Sequence, residues 1–205
     1  EERCDCRYCV EDRKEYDMQF LFSLYGKPPY YGPPSLEQEA NEHQLIILKN
    51  KWKWDRRFLL LAKHIADWSI CYSRKGAVIV GQDHTVISFG YNGPPRGSDL
   101  CHDGDCIWPK ASRSHRADLS GCPAVHAEEN AIINAARIGT STVGGTLHGW
   151  CCLPCKACMS AIINAGIRRI VCLSDYYDEL SQTLVKDSGI QLVQVDEKDV
   201  LEQDG

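Results

Sequence analysis

Apolar residues recur at helical spacing from Phe58 onward, at Leu59, Leu61, Ala62, Ile65 and Ala66, and predict a core-facing helix with Asp55 as its N-cap. Two β-rich runs follow, 76–80 and 85–91, separated by Gly81-Gln82-Asp83-His84, a hairpin signal. The pattern then predicts a helix over 126–138 stopped by Gly139, a strand over 146–150, a helix over 154–165 stopped by Gly166, and a strand over 169–173. A helix over about 177–186 and a strand over 190–195 complete the set. Helices alternating with five strands, the first two joined by a hairpin, predict an α/β fold: three α/β/α layers around a central mixed five-stranded sheet.

Two stretches fall outside that pattern. Residues 1–53 read as a Cys- and Pro-rich N-terminal extension, because Lys27-Pro28-Pro29-Tyr30-Tyr31-Gly32-Pro33-Pro34-Ser35 is a turn and polyproline signal; their one orderable stretch is 36–49. The domain proper then occupies 54–205. Between the second strand and the next helix, 92–123 shows neither period, and a loop of that length in a compact domain is functional or pinned.

Composition narrows the class. A chain of 205 residues, 43% hydrophobic, supports one well-buried core with an appendage. With 28 acidic against 23 basic side chains and a net charge of -5, it lacks the basic balance of a nucleic-acid binder, so nucleic acid is not an expected partner. Lys49-Asn50-Lys51-Trp52-Lys53-Trp54 mixes bases and aromatics as single-strand grooves do, but a packed edge or subunit contact is the commoner use of six such residues. The longest apolar runs fall far short of the roughly 20 residues that cross a bilayer, and the acidic start is not that of a signal peptide, so no membrane association is expected. The first residue is not Met, as in a trimmed chain or a piece of a longer one. Twelve cysteines are the loudest signal, and close pairs such as Cys155 and Cys158 suit a metal or a redox couple better than a cross-chain staple. A reducing, cytoplasmic location is the expectation.

The chemistry concentrates in two segments: His126-Ala127-Glu128 opens one helix and Pro154-Cys155-Lys156-Ala157-Cys158 opens the next. One imidazole and two thiolates are three ligands for a catalytic zinc, which leaves its fourth position for water. Helix N-termini favour thiolate over thiol at Cys155 and Cys158. A zinc of this kind acidifies water towards neutral pH. Glu128, not needed as a ligand, is free to move protons beside that water. This is what hydrolytic deamination of a cytosine-like ring requires, and His-x-Glu with Pro-Cys-x-x-Cys marks zinc deaminases. Alone, a CxxC pair is often structural zinc or a redox couple, and a His-x-Glu triplet is most often a solvated helix start; their conjunction carries the reading.

Together with Gly76-Ala77-Val78-Ile79-Val80, Gly90-Tyr91-Asn92-Gly93-Pro94-Pro95-Arg96-Gly97 and 163–171, these segments make the chain resemble the deoxycytidylate (dCMP) deaminase family of the zinc-dependent cytidine deaminase-like superfamily, over about 55–195. The resemblance implies the cytidine deaminase-like fold and conversion of dCMP to dUMP and ammonia in pyrimidine deoxynucleotide metabolism. It implies Asn92 at the deoxyribose and Arg137 at the 5′-phosphate, although Arg137 also reads as a charge capping its helix C-terminus. Arg74 and Lys75 match a region where relatives carry phosphate-facing bases, in a segment one residue shorter here. Tyr176, or Tyr177 in its place, matches an aromatic near the base. A second, structural zinc is implied at Cys71, Cys101, Cys106 and Cys122, with His102 and His115 as competing ligands and Cys71 alternatively a small buried residue. The family also implies dCTP and dTTP as effectors and a homo-oligomer, a hexamer.

Competing readings are a deaminase of another cytosine or adenine substrate, such as dCTP or an RNA base, and a zinc-stabilised non-catalytic nucleotide-binding module. Cys4, Cys6 and Cys9 offer half a metal site, with His43 as a fourth candidate; Cys151 and Cys152 read as packing.

Overall fold

The computed structural model describes residues 18–26, 37–99, 101, 122–174 and 178–202. The chain divides into two units between Lys53 and Trp54. In the first, α1 (Met18–Tyr25) precedes the start of α2 (Glu37–Ala66). Leu21, Leu48 and Trp52 are buried, and the Lys51 ammonium lies 4.8 Å from the centre of the Tyr25 ring. The sequence pattern does not anticipate α1, whose apolar residues are too continuous to show a helical period.

The helix expected to begin at Asp55 instead runs through it, since α2 covers 30 residues. Asp55 is therefore not an N-cap. Upstream of it no Gly or Pro interrupts the run from Glu37, so nothing local stops the helix.

The second unit holds a five-stranded sheet of β1 (Gly76–Val80), β2 (Val86–Tyr91), β3 (Thr146–Trp150), β4 (Arg169–Leu173) and β5 (Gln191–Val195), in the order β2-β1-β3-β4-β5. β1 is antiparallel to both neighbours, whereas β3, β4 and β5 are parallel, which makes the sheet mixed as expected. All five residues of β1 are buried, the signature of a strand covered on both faces, while edge strand β2 mixes exposed and buried positions. At the hairpin joining them the Gly81 amide donates to the Thr85 carbonyl at 2.8 Å, and His84 takes the left-handed conformation at φ 65°. The remaining helices are α3 (Ala127–Ile138), α4 (Lys156–Asn164), α5 (Glu179–Ser188) and a short α6 (Glu197–Leu201) that the sequence pattern does not show.

Strand register sorts the side chains into two faces. Ala77, Ile79, Leu147, Ile170 and Cys172 form one core with Ala127 and Ala131 of α3 and Met159 and Ile162 of α4, and Leu184 and Val185 of α5 pack against it. Gly90, opposite Ala77, lies on this face, and a Cβ there would collide with the α3 backbone at Ala127 and Ala131. Gly76 points the other way, where a Cβ would collide with the α2 backbone at Ala62 and Ala66. Two glycines thus let two helices press onto opposite faces, giving the three layers. The short α6 joins the α2 side through the Arg56 Nε bond to the Val200 carbonyl, 2.9 Å.

On the α2 face Asp55 is only 3% exposed. Arg169 grips its carboxylate through both terminal nitrogens at 2.7 and 2.5 Å, and His148 Nε2 lies 2.9 Å from it. Burial alone would raise the Asp55 pKa, but hydrogen bonds from Arg169 and His148 hold it well below the usual carboxylate range. Among the described residues no helix is long and apolar enough to cross a membrane.

Candidate active site

Two helices begin at a potential ligand. His126 is the N-cap of α3 in extended conformation (φ -71°, ψ 157°), and its amide donates to the Glu129 carboxylate at 3.4 Å. Cys155 is the N-cap of α4, again extended (φ -64°, ψ 166°), and Cys158 follows one turn on, so a CxxC at a helix start turns both sulfurs the same way. The helices stop where Gly139 and Gly166 adopt φ 72° and 75°.

These starts meet. The candidate ligand atoms of His126, Cys155 and Cys158 lie within 4.8 Å of one another, with His126 Nδ1 3.2 Å from Cys158 Sγ and 3.6 Å from Cys155 Sγ. Tetrahedral zinc, with bonds of about 2.1 Å to nitrogen and 2.3 Å to sulfur, sets such N···S separations at about 3.6 Å. Donor types and spacing both fit the metal, and this is the one such group among the described residues.

The trio shares its protons unequally. A hydrogen bond with Cys158, and then one with His126, pulls the Cys155 pKa down to about 4 and so favours its thiolate. The bond to Cys155 raises His126 to about 9 against the opposing effect of burial. Cys158, sharing its proton with Cys155 and buried, is pushed up. Glu128, 5% exposed, sits at the second position of α3 beside the trio. Burial raises its pKa, and hydrogen bonds with its own backbone amide and the Cys151 thiol pull the other way. No Lys or Arg pairs with it among the described residues.

Residues 52–174 match the family model described as the cytidine and deoxycytidylate deaminase zinc-binding region. The chain belongs to this family. It is 34% identical over 143 residues to the deoxycytidylate deaminase of Schizosaccharomyces pombe, covering 69% of this chain and 44% of that protein. It is also 34% identical over 162 residues to that of Saccharomyces cerevisiae, covering 74% and 50%. The chain thus spans about half the length of the curated relatives it matches. A dCMP deaminase from the cyanophage S-TIM5, solved in apo form, shares the fold with TM-score 0.55 and 20% identity, covering 70% of this chain and 98% of that one. Zinc is accordingly the metal of this deaminase family member, and both helix starts fall inside the matched region.

The other residues named from the sequence scatter. The Asn92 side chain bridges the approach to β1: its Oδ1 accepts from the Lys75 amide and its Nδ2 donates to the Ser73 carbonyl, both at 2.8 Å. Arg74 is exposed and donates to the Asp67 carbonyl at 3.4 Å. Arg137 is exposed in the last turn of α3, 11 residues and so about 16 Å along the helix from His126. Cys71, Cys101 and Cys122 are half-buried. Tyr176, Tyr177, Cys106, His102, His115, Cys4, Cys6, Cys9 and the His43 side chain lie outside the described residues.

Sequence reading missed Cys151 as a neighbour of Glu128. A Cβ at Gly149 would stand 2.7 Å from the Cys151 sulfur, so that glycine makes room for the thiol. The signal was present as a glycine two residues before a cysteine at a strand end, but its meaning depends on where α3 lies.

Proposed function

We propose that this chain hydrolyses dCMP to dUMP and ammonia, with His126, Cys155 and Cys158 holding zinc and Glu128 moving the protons. The observation that carries the reading is the convergence of one imidazole and two sulfurs within 4.8 Å at paired helix starts, beside a buried carboxylate that no Lys or Arg pairs among the described residues. Relatives named deoxycytidylate deaminase support dCMP as the substrate.

Zinc, when bound, supplies a Lewis acid that makes water a competent nucleophile near neutral pH. Glu128 accepts the proton that water loses and delivers it to the ring nitrogen of the base, which makes the adjacent carbon electrophilic. The water oxygen bonds to that carbon. Glu128 then takes the second proton from that oxygen and passes it to the exocyclic amine; the carbon–oxygen double bond forms as the carbon–nitrogen bond breaks, and ammonia leaves. A pKa raised by burial suits a group that must hold a proton between these steps.

The finer assignments belong to the same proposal. Residues 54–205 form the deaminase domain and 1–53 an extension. Asn92 contacts the deoxyribose from the row beside Lys75, and Tyr176 lines the base. Arg137 and Arg74, both exposed, are the candidates for the phosphate. Cys71, Cys101, Cys106 and Cys122 hold a second, structural zinc; dCTP and dTTP act as effectors; and the chain assembles as a homo-oligomer. The test is ammonia release from cytidine, dCMP, dCTP, guanine and transfer RNA, with and without dCTP and dTTP. Release that is fastest from dCMP supports the reading, and release that is as fast from any other compound overturns it.

A further inference from the structure

Two asparagines stitch α3 to the outer edge of the sheet. The Asn92 amide donates to the Lys75 carbonyl at 3.2 Å, one step beyond the pair Gly76 and Tyr91, and the antiparallel alternation from there turns the carbonyls of Tyr91 and Phe89 away from β1. Asn130 Nδ2 donates to the Tyr91 carbonyl and Asn134 Nδ2 to the Phe89 carbonyl, both at 2.8 Å. Asparagine is a poor residue for a helix interior, so the helix itself gains nothing from this pair one turn apart. Both fasten α3 to β2 by the same chemistry.

They differ in where they fasten it. The Gly93 amide donates to the Val125 carbonyl at 3.1 Å, and the Val125 amide donates back to the Gly93 carbonyl at 2.8 Å. Val125 directly precedes His126, and Asn130 closes the first turn after it, its own amide donating to the His126 carbonyl at 2.9 Å. The span from Val125 to Asn130 is thus held at both ends on one short stretch, Tyr91 to Gly93, and His126 and Glu128 both lie inside it. Asn134 lies one turn outside, where Arg96 Nη2 donates to its Oδ1 at 2.8 Å. A metal ligand and a proton carrier must keep their mutual geometry to within about 0.5 Å. We propose that Asn130 is a positioning residue: its bond to the Tyr91 carbonyl fixes the start of α3, so that His126 and Glu128 keep their places relative to Cys155 and Cys158, a task Asn134 does not share. The effect on turnover rests on the deaminase reading above, whereas the effect on metal retention rests on the three ligands alone.

The test compares Asn130→Ala with Asn134→Ala, each removing one donor in favour of the best helix former, so that neither threatens the helix. Zinc-loaded wild type and variants are read by steady-state ammonia release from dCMP, by the rate at which zinc passes to a colorimetric chelator, and by melting temperature. Loss of a residue that supports metal ligands costs about 10- to 100-fold in activity or metal affinity, so Asn130→Ala should lower kcat and hasten zinc release by that factor. KM for dCMP should stay within about threefold, because the lost bond is to backbone and not to substrate. Asn134→Ala should keep both kcat and zinc release within about threefold of wild type. The melting temperatures of the two variants should agree within about 2–4 °C, since each loses one equivalent hydrogen bond. Wild-type kcat and zinc release in Asn130→Ala, or equal losses in both variants, overturn the proposal. Wild type that releases no ammonia from dCMP would instead defeat the deaminase reading, and the zinc-release rates would still decide whether Asn130 positions the site.

Discussion

Among the described residues, each face of the sheet buries one carboxylate, and the two behave in opposite ways. Asp55, on α2, and Glu128, on α3, are 3% and 5% exposed, so burial alone does not distinguish them. Their partners do. Asp55 takes both arms of Arg169 and His148 Nε2, and its pKa falls despite burial. Glu128 has a thiol and its own backbone amide, and burial prevails. A saturated carboxylate stays ionised and ties α2 to β3 and β4. An undersaturated one can take up and release a proton, and this one sits where three metal-ligand side chains meet.

The largest expected effect separates the two directly. Glu128→Gln should lower turnover by about 10³-fold while leaving zinc content and melting temperature near wild type, checked by ammonia release, metal counting and thermal melting. Asp55→Ala should do the reverse. Stranding Arg169 on a buried face should cost about 3–5 kcal/mol in chemical denaturation, while the folded fraction keeps its zinc.

The glycines sharpen the same contrast at smaller scale. Gly76→Ala and Gly90→Ala each drive a methyl into a helix backbone and should each cost about 1–3 kcal/mol or more. Only Gly90→Ala displaces α3, so only it should also depress the activity of the folded protein.

Acid titration gives a milder test. Asp55 has a folded pKa below its usual 3.8, so its stabilisation is present above that value and is lost as pH falls through the folded value. His148 is held neutral by burial, its pKa below the usual 6.5, so its contribution is present above 6.5 and declines as pH falls beneath it. Denaturation midpoints should therefore fall from pH 6.5 downward, less steeply in Asp55→Asn. The smallest effect should come from Cys151→Ala, which removes one bond to Glu128 and should lower kcat by about 2- to 10-fold, with Cys151→Ser near wild type.

What the sequence made legible was local. All five strands and the helices α3 and α4 follow from periodicity and from Gly139 and Gly166, whose left-handed φ marks the stops. The trio is legible for the same reason, since ligand spacing at a helix start is a short-range pattern. Asp55 reads locally as an N-cap because its partners lie 93 and 114 residues away, and no window along the chain holds all three. The upstream half of α2 was obscured by the Pro-rich segment before it.

The central claim is that Glu128 moves protons at a zinc site it does not help to hold. The most direct measurement is ammonia release from dCMP by wild type and Glu128→Gln, with zinc counted in the same samples. We expect equal zinc in both and turnover in wild type alone. Near-equal turnover, or loss of zinc along with the activity, would contradict it.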